Sequence, residues 1–277
     1  TSTLSSVGET VTLTATVNDA GGTAISGATV TWETSDASVA TVSSAGLVTA
    51  VADGTATITA TSGSLTATSV ITVAQVAAAV EVSPSTSTLS SLGETVALTA
   101  TVNDAGGTAI SGATVIWATT DAAVATVSSE GVVTAVADGT ATILAASGSI
   151  NGTATITVGQ VASAVEVLPS TSTLSSVGAT VALTATVKDA NGETISGATV
   201  AWATSDAAVA TISSAGLVTA VADGTATMTA TSGTLNGTAT VTVAQIASTI
   251  EVSPSTSTLN SVGDDAQLTA TVNDAGG

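Results

Sequence analysis

The sequence predicts an all-β chain of tandem two-sheet domains, and three observations carry that prediction. The only tryptophans stand at positions 32, 117 and 202, a constant step of 85 residues, and Leu4, Leu89, Leu174 and Leu259 keep the same step. Polarity alternates with a period of two through most of each repeat, the spacing at which successive side chains leave opposite faces of a strand. Ala, Thr, Ser, Val and Gly dominate the composition, and the β-branched members of that set favour strand over helix. A unit of 85 residues is too long for a solenoid repeat that must stack on neighbours to bury its face, and it suits a small self-contained domain.

The copy at residues 80–158 serves as reference. Val80 and Val82 alternate with Glu81, and Pro84 then removes a ladder donor before the chain reaches Leu89, which reads as a broken first edge strand. Residues 95–102 alternate strictly, with Val96, Leu98, Ala100 and Val102 on one face, and form the second strand. Asn103, Asp104 and the glycines that follow supply turn chemistry. The third strand, residues 113–119, turns Ala113, Val115 and Trp117 inward, and the one large aromatic plugs a core of Val, Ile, Leu and Ala. Strands at 124–127 and 132–136 flank the turn at Gly131, and Ala137-Asp138-Gly139 leads to a sixth strand at 140–146, with Ala141, Ile143 and Ala145 inward. The seventh, from Ile150 to Val158, turns Ile150, Ala154, Ile156 and Val158 inward against outward Thr153, Thr155 and Thr157.

Seven or so short strands punctuated by turns, with one Trp on the third, describe an immunoglobulin-like β-sandwich, here without the inter-sheet disulfide or a tyrosine corner. The fold class is therefore all-β, tandem immunoglobulin-like β-sandwiches forming an extended rod. The expected domains are 1–76, which lacks its first strand, then 77–161, 162–246, and a fragment of a fourth at 247–277. Thr1 corresponds to Thr86 within the repeat, so the sequence reads as a window on a longer array. The connection at residues 73–80 is short and neither Gly/Ser-rich nor Pro-rich, which excludes a long flexible tether.

The string V-x-W-x-[ST]-[ST]-D-x-x-V-A-T-[VI]-S-S-x-G-x-V-T-A-V-A-D-G-T-A-T recurs at residues 30–57, 115–142 and 200–227. It resembles the signature of the bacterial Ig-like group 2 domain, similar to those of the invasin and intimin adhesins. The resemblance implies extracellular stalks that hold a binding tip away from a cell. The same group includes domains decorating phage tails and capsids. It implies no catalytic residues.

Composition narrows the function classes. There is no Cys and no His, so thiolate nucleophiles, sulfur metal sites and the usual general base are absent. A single basic residue, Lys188, against 20 acidic ones gives a net charge of −19, which argues against nucleic acid and anionic membrane surfaces as partners. No apolar run approaches a membrane span. A Ser or Thr nucleophile would need a base, and turn carboxylates are the only general candidates, so the chain is expected not to be an enzyme.

The acidic turn residues are the one constellation to weigh. In this topology alternate turns gather at opposite poles, which could bring Glu9, Asp36 and Asp53 of one domain toward Glu81, Asn103 and Asp104 of the next. Hard oxygen ligands at such a junction would suit calcium, the one cofactor class these residues could take. Asp in turns also has purely backbone reasons to be there, and that reading is preferred. Asn151-Gly152-Thr153 and Asn236-Gly237-Thr238 fit the N-glycosylation sequon, whereas the first repeat has Thr66-Ala67-Thr68, and chance is the preferred explanation.

The expected function is a non-catalytic structural stalk or fibre segment of an extracellular bacterial surface protein, a repeat spacer in adhesion or filament formation. Its partners would be other copies of the repeat in the same chain, with lateral self-association into a filament, and no nucleic acid or membrane insertion. The alternative is a binding module, either a carbohydrate-binding accessory domain of a secreted enzyme or a phage virion decoration. Near-identity of the units favours the spacer, because reach adds over interchangeable domains.

Overall fold

The computed structural model describes residues 1–276; Gly277, the last residue of the expected fourth fragment, lies outside them. Every regular element among the described residues is a strand. In the second repeat these are β1 (Ala79–Ser83), β2 (Thr86–Leu89), β3 (Thr95–Ala97), β4 (Thr99–Asn103), β5 (Ile116–Thr119), β6 (Ala125–Val127), β7 (Val132–Ala135), β8 (Gly139–Ser147) and β9 (Ile150–Val158).

Proline divides the first strand as its missing N–H requires. Before Pro84, β1 runs antiparallel to β4, pairing Val80 with Val102 and Val82 with Ala100. After it, β2 runs parallel to β9, pairing Leu89 with Val158. The peptide bond before Pro84 is cis, as are those before Pro169 and Pro254. One sheet is then ordered β5-β8-β9-β2 and the other β3-β7-β6, with β1-β4 as a separate ladder. This is the strand arrangement of an immunoglobulin-like sandwich.

Two expected strands differ by more than one residue at an end. Residues 95–102 divide at Leu98 because β3 pairs with β7 while β4 pairs with β1. Leu98 itself is 2% exposed and donates its N–H to the Gly131 carbonyl at 2.9 Å, so the change of partner leaves no orphan donor. The third strand begins at Ile116 and not at 113, although Ala113 and Val115 still pack on the core.

The core lies between the sheets and is built of small side chains. Ala141, Ile143 and Ala145 on β8 and Ala154, Ile156 and Val158 on the neighbouring β9 all turn into it and are buried, as are Leu89, Leu98 and Val133. Trp117 is half-buried against this cluster, so it closes the core's edge more than it plugs its centre. Its ring lies over Gly131: a Cβ there would come within 2.9 Å of Trp117 Cζ2 and 2.6 Å of the Leu98 carbonyl. With φ at 84°, Gly131 also occupies the left-handed region.

The third repeat reproduces the plan, with Ala164–Leu168 paired to Thr184–Lys188 and a sheet that joins Thr171–Leu174, Leu235–Val243, Gly224–Ser232 and Ala201–Thr204 in that order. The first repeat has the same two sheets, but no described strand pairs with residues 14–18. There Leu13 and Val17 are half-buried, where Leu98 and Val102 are 2% and 3% exposed. Thr249–Ser253 pairs with Thr269–Asn273 at the start of the fourth repeat. By contacts the chain groups into two units, residues 1–89 with 95–158, and 90–94 with 159 onward.

Gly131→Ala is expected to destabilise its repeat by about 2 kcal/mol or more, since left-handed backbone and steric conflict act together. Gly148→Ala, at φ 61° with open space around it, should cost only about 1 kcal/mol. Thermal unfolding of the two variants checks this, and equal losses would contradict the packing of Trp117 on Gly131.

Candidate functional site: the repeat junctions

The connecting residues are tied down by their backbone. Ala74 N–H donates to Leu4 O at 2.9 Å, Gln75 N–H to Asp53 Oδ1 at 2.8 Å, Val76 N–H to Ser5 O at 2.9 Å and Ala78 N–H to Asn103 O at 2.8 Å. The first three partners belong to the repeat before the linker and the last to the repeat after it. In the second unit Ala244, Ile246 and Ser248 bond to Leu174, Ser175 and Asn273 in the same way, and Gln245 N–H reaches Asp223 Oδ1 at 2.7 Å.

Asp104 joins the two repeats. Its Oδ1 accepts from Gly106 N and Thr108 N, both at 2.9 Å, closing the turn after β4. Its Oδ2 accepts from Val7 N at 2.9 Å and Gln75 Nε2 at 2.8 Å, one in a loop of the preceding repeat and one in the linker. The residue is 2% exposed. Asp189 repeats this, accepting from Asn191 N, Glu193 N, Leu92 N and Gln160 Nε2, at 3% exposure. Asp274 accepts from Val177 N, Gln245 Nε2 and Gly276 N.

The loop that offers Val7 N is itself shaped by an acid. Glu9 folds its carboxylate back onto Ser5 N at 2.6 Å and Ser5 Oγ at 3.1 Å, while Gly8 N bonds to Ala50 O. Glu94 does the same for Ser90, and Asp264 does so for Asn260 and Ser261. The third repeat has Ala179 at that position and still makes the Val177 bond, so Glu9 supports the loop without being essential to the junction. Close approach matters as well. A Cβ on Gly106 would come within 2.8 Å of Val7 O, and Asn191 at the equivalent place uses its amide to donate to Leu92 O at 2.8 Å.

The five acids singled out from sequence thus have separate tasks. Asp104 reaches the preceding repeat, Asp53 holds the linker backbone, and Glu9 shapes the facing loop. Asp36 closes its own turn onto Ser38, and Glu81 stands exposed on β1 opposite Thr101. Among the described residues no three acidic groups gather where they could hold a metal ion. Gln75, Gln160 and Gln245 were not singled out, although a glutamine in each linker, always 29 residues before the junction aspartate, was the available signal.

Lys188, the single basic residue, pairs with Glu166 at 2.7 Å on the surface, a contact of small energetic weight. The Gln75 amide, with the N–H groups of Val7, Thr108 and Gly106, holds the Asp104 carboxyl below its ordinary value against the opposing effect of burial. Burial pushes Asp189 up, and the Gln160 amide with three backbone N–H groups outweighs it, leaving that carboxyl low as well. Because each acid titrates lower when folded, its contribution is present above the ordinary aspartate range and is lost as pH falls through the depressed value.

The family model for the bacterial Ig-like domain (group 2) matches residues 1–73, 76–158 and 162–243. No curated protein matches the chain. Among solved structures, domains 1–6 of the surface layer protein SbsC are 21% identical over 91% of this chain and 40% of that one, with a TM-score of 0.34. The Escherichia coli adhesin FdeC is 20% identical over 87% of this chain and 94% of that one, TM-score 0.38, and Drosophila N-cadherin EC1-4 is 11% identical over 89% and 72%, TM-score 0.33. These likenesses concern the fold alone, and the chain spans 40% of the length of that surface-layer structure.

In an NMR pH titration the Val7 and Leu92 amide protons are expected to shift with midpoints below the ordinary aspartate value, as they report Asp104 and Asp189. Midpoints at or above that value would contradict the hydrogen bonding described.

Proposed function

We propose that this chain, which belongs to the bacterial Ig-like domain (group 2) family, is a non-catalytic spacer in an extracellular bacterial surface protein, a stalk or fibre segment in which each repeat adds its own length. The observation that carries the reading is the recurrence of one junction. The same aspartate, the same linker glutamine and the same loop amide meet at Asp104, Asp189 and Asp274. A spacer needs its units joined alike, since reach then scales with repeat number; a recognition module needs at least one unit with a distinct surface.

Side-chain chemistry supports the same reading. Outward positions are chiefly Thr and Ser, and the junction carboxylates are engaged by backbone and glutamine N–H donors. No described helix is long and apolar enough to cross a membrane. In this reading the partners are neighbouring repeats of the same chain, with lateral association between chains as the route to a filament.

Antibodies raised against the 277-residue chain provide the test. Immunogold labelling of intact cells of the source organism should place gold outside the envelope, standing off from it by about 35–45 Å for each repeat between epitope and anchor, the length of such a sandwich with its linker. Gold confined to the cell interior, or seen only after lysis, would overturn the proposal.

A further inference from the structure

We propose that Asp104 is a metal-free latch, fixing the orientation of its repeat on the one before it through a carboxylate whose acceptor positions are already filled. An ionised carboxylate has about four lone-pair directions. At Asp104 four N–H donors occupy them, Gly106 and Thr108 from its own turn, Val7 and Gln75 from across the junction. At Asp189 the set is Asn191, Glu193, Leu92 and Gln160. A calcium ion needs six to eight oxygen ligands; to recruit these carboxylates it would have to displace the N–H donors that now occupy both oxygens, giving up charge-assisted hydrogen bonds.

The first repeat separates the latch from the turn. Asp19 occupies the equivalent position, accepts from Gly21 N and Thr23 N at 2.9 Å, and is exposed. Its own N–H bonds to Thr23 O at 2.9 Å, as that of Asp104 bonds to Thr108 O. At Asp19, as at Asp104, the turn closes on one carboxylate oxygen. The linker glutamine completes the device from both ends: Gln75 gives its backbone N–H to Asp53 and its side-chain amide to Asp104, so one residue is held by both repeats. Two restrained points and a bonded loop leave little freedom for swivel or hinge.

The latch deepens the spacer reading, and its biological sense rests on that reading; the following experiment addresses the latch alone. The chain has no cysteine, so Ser64→Cys and Ser149→Cys, at exposed hairpin turns of the first and second repeats, can carry a nitroxide pair in the full chain. Electron-spin distance measurement should give one narrow distribution, the same in excess EDTA and in millimolar calcium. Asp104→Asn keeps the turn-closing oxygen but sets an NH₂ against the Val7 and Gln75 donors, and Gln75→Ala removes the side-chain bond while leaving the turn untouched. Each should broaden the distribution about twofold or more with the circular dichroism unchanged, as loss of charge-assisted junction bonds implies. Should Asp104→Asn also disturb its turn, Gln75→Ala decides. A broad parent distribution, one that narrows only on adding calcium, or a Gln75→Ala variant as narrow as the parent would overturn the latch. None of these outcomes bears on whether the chain lies outside the cell.

Discussion

The carboxylate of Asp104 divides its hydrogen bonds equally, two to its own turn and two across the junction. The contact between the first two repeats depends on that division. Backbone donors outside regular strands need partners of their own, and here the Asp104 side chain accepts from Val7, Gly106 and Thr108. Hydrogen bonds to an ionised acceptor are among the stronger ones available. Depression of the Asp104 and Asp189 titrations is the expected electrostatic counterpart.

The sandwich that holds these junctions is built economically. Alanine, valine and isoleucine fill the space between sheets, and close sheet packing follows from small side chains such as Ala141, Ala145 and Ala154. Gly152 extends the same economy to the backbone: a Cβ there would come within 2.3 Å of Val80 O, so β1 lies directly on β9 at that point. Since β1 also leads directly from the linker, the strand that seals Leu98 and Val102 is continuous with the segment held by Asp53 and Asp104. Folding of a repeat and fixing of its junction thus share residues, which couples them in a way separate domains on a free tether would not be coupled.

Much of the fold was legible because its determinants are local. Alternation placed 140–146 and 150–158 in strands with the correct inward residues, and Pro84 marked the break in the first strand. The division at Leu98 was not legible, because alternation continues unbroken while the pairing partner changes. Trp117 was expected at the core's centre; inward phase said which way it points but not how far the sheets extend over it, and it is half-buried. At the junction, the polar position of Asp104 was readable from topology. Its partners were not, since two of them are a main-chain N–H and a glutamine in a linker read for flexibility alone. Glu9, Asp36 and Asp53 carry the same charge in the sequence, yet each is directed by the nearest backbone donors to a different local task.

The account turns on the linker being hydrogen-bonded structure and not a tether, and amide hydrogen exchange reads that directly. Ala74, Gln75, Val76 and Ala78 donate to named acceptors on both flanking repeats, so their exchange in the full chain should be slowed to a degree comparable with the ladder amides of β1 and β4. Exchange of these four amides at the rate of an unstructured peptide, while the strand amides stay protected, would contradict it.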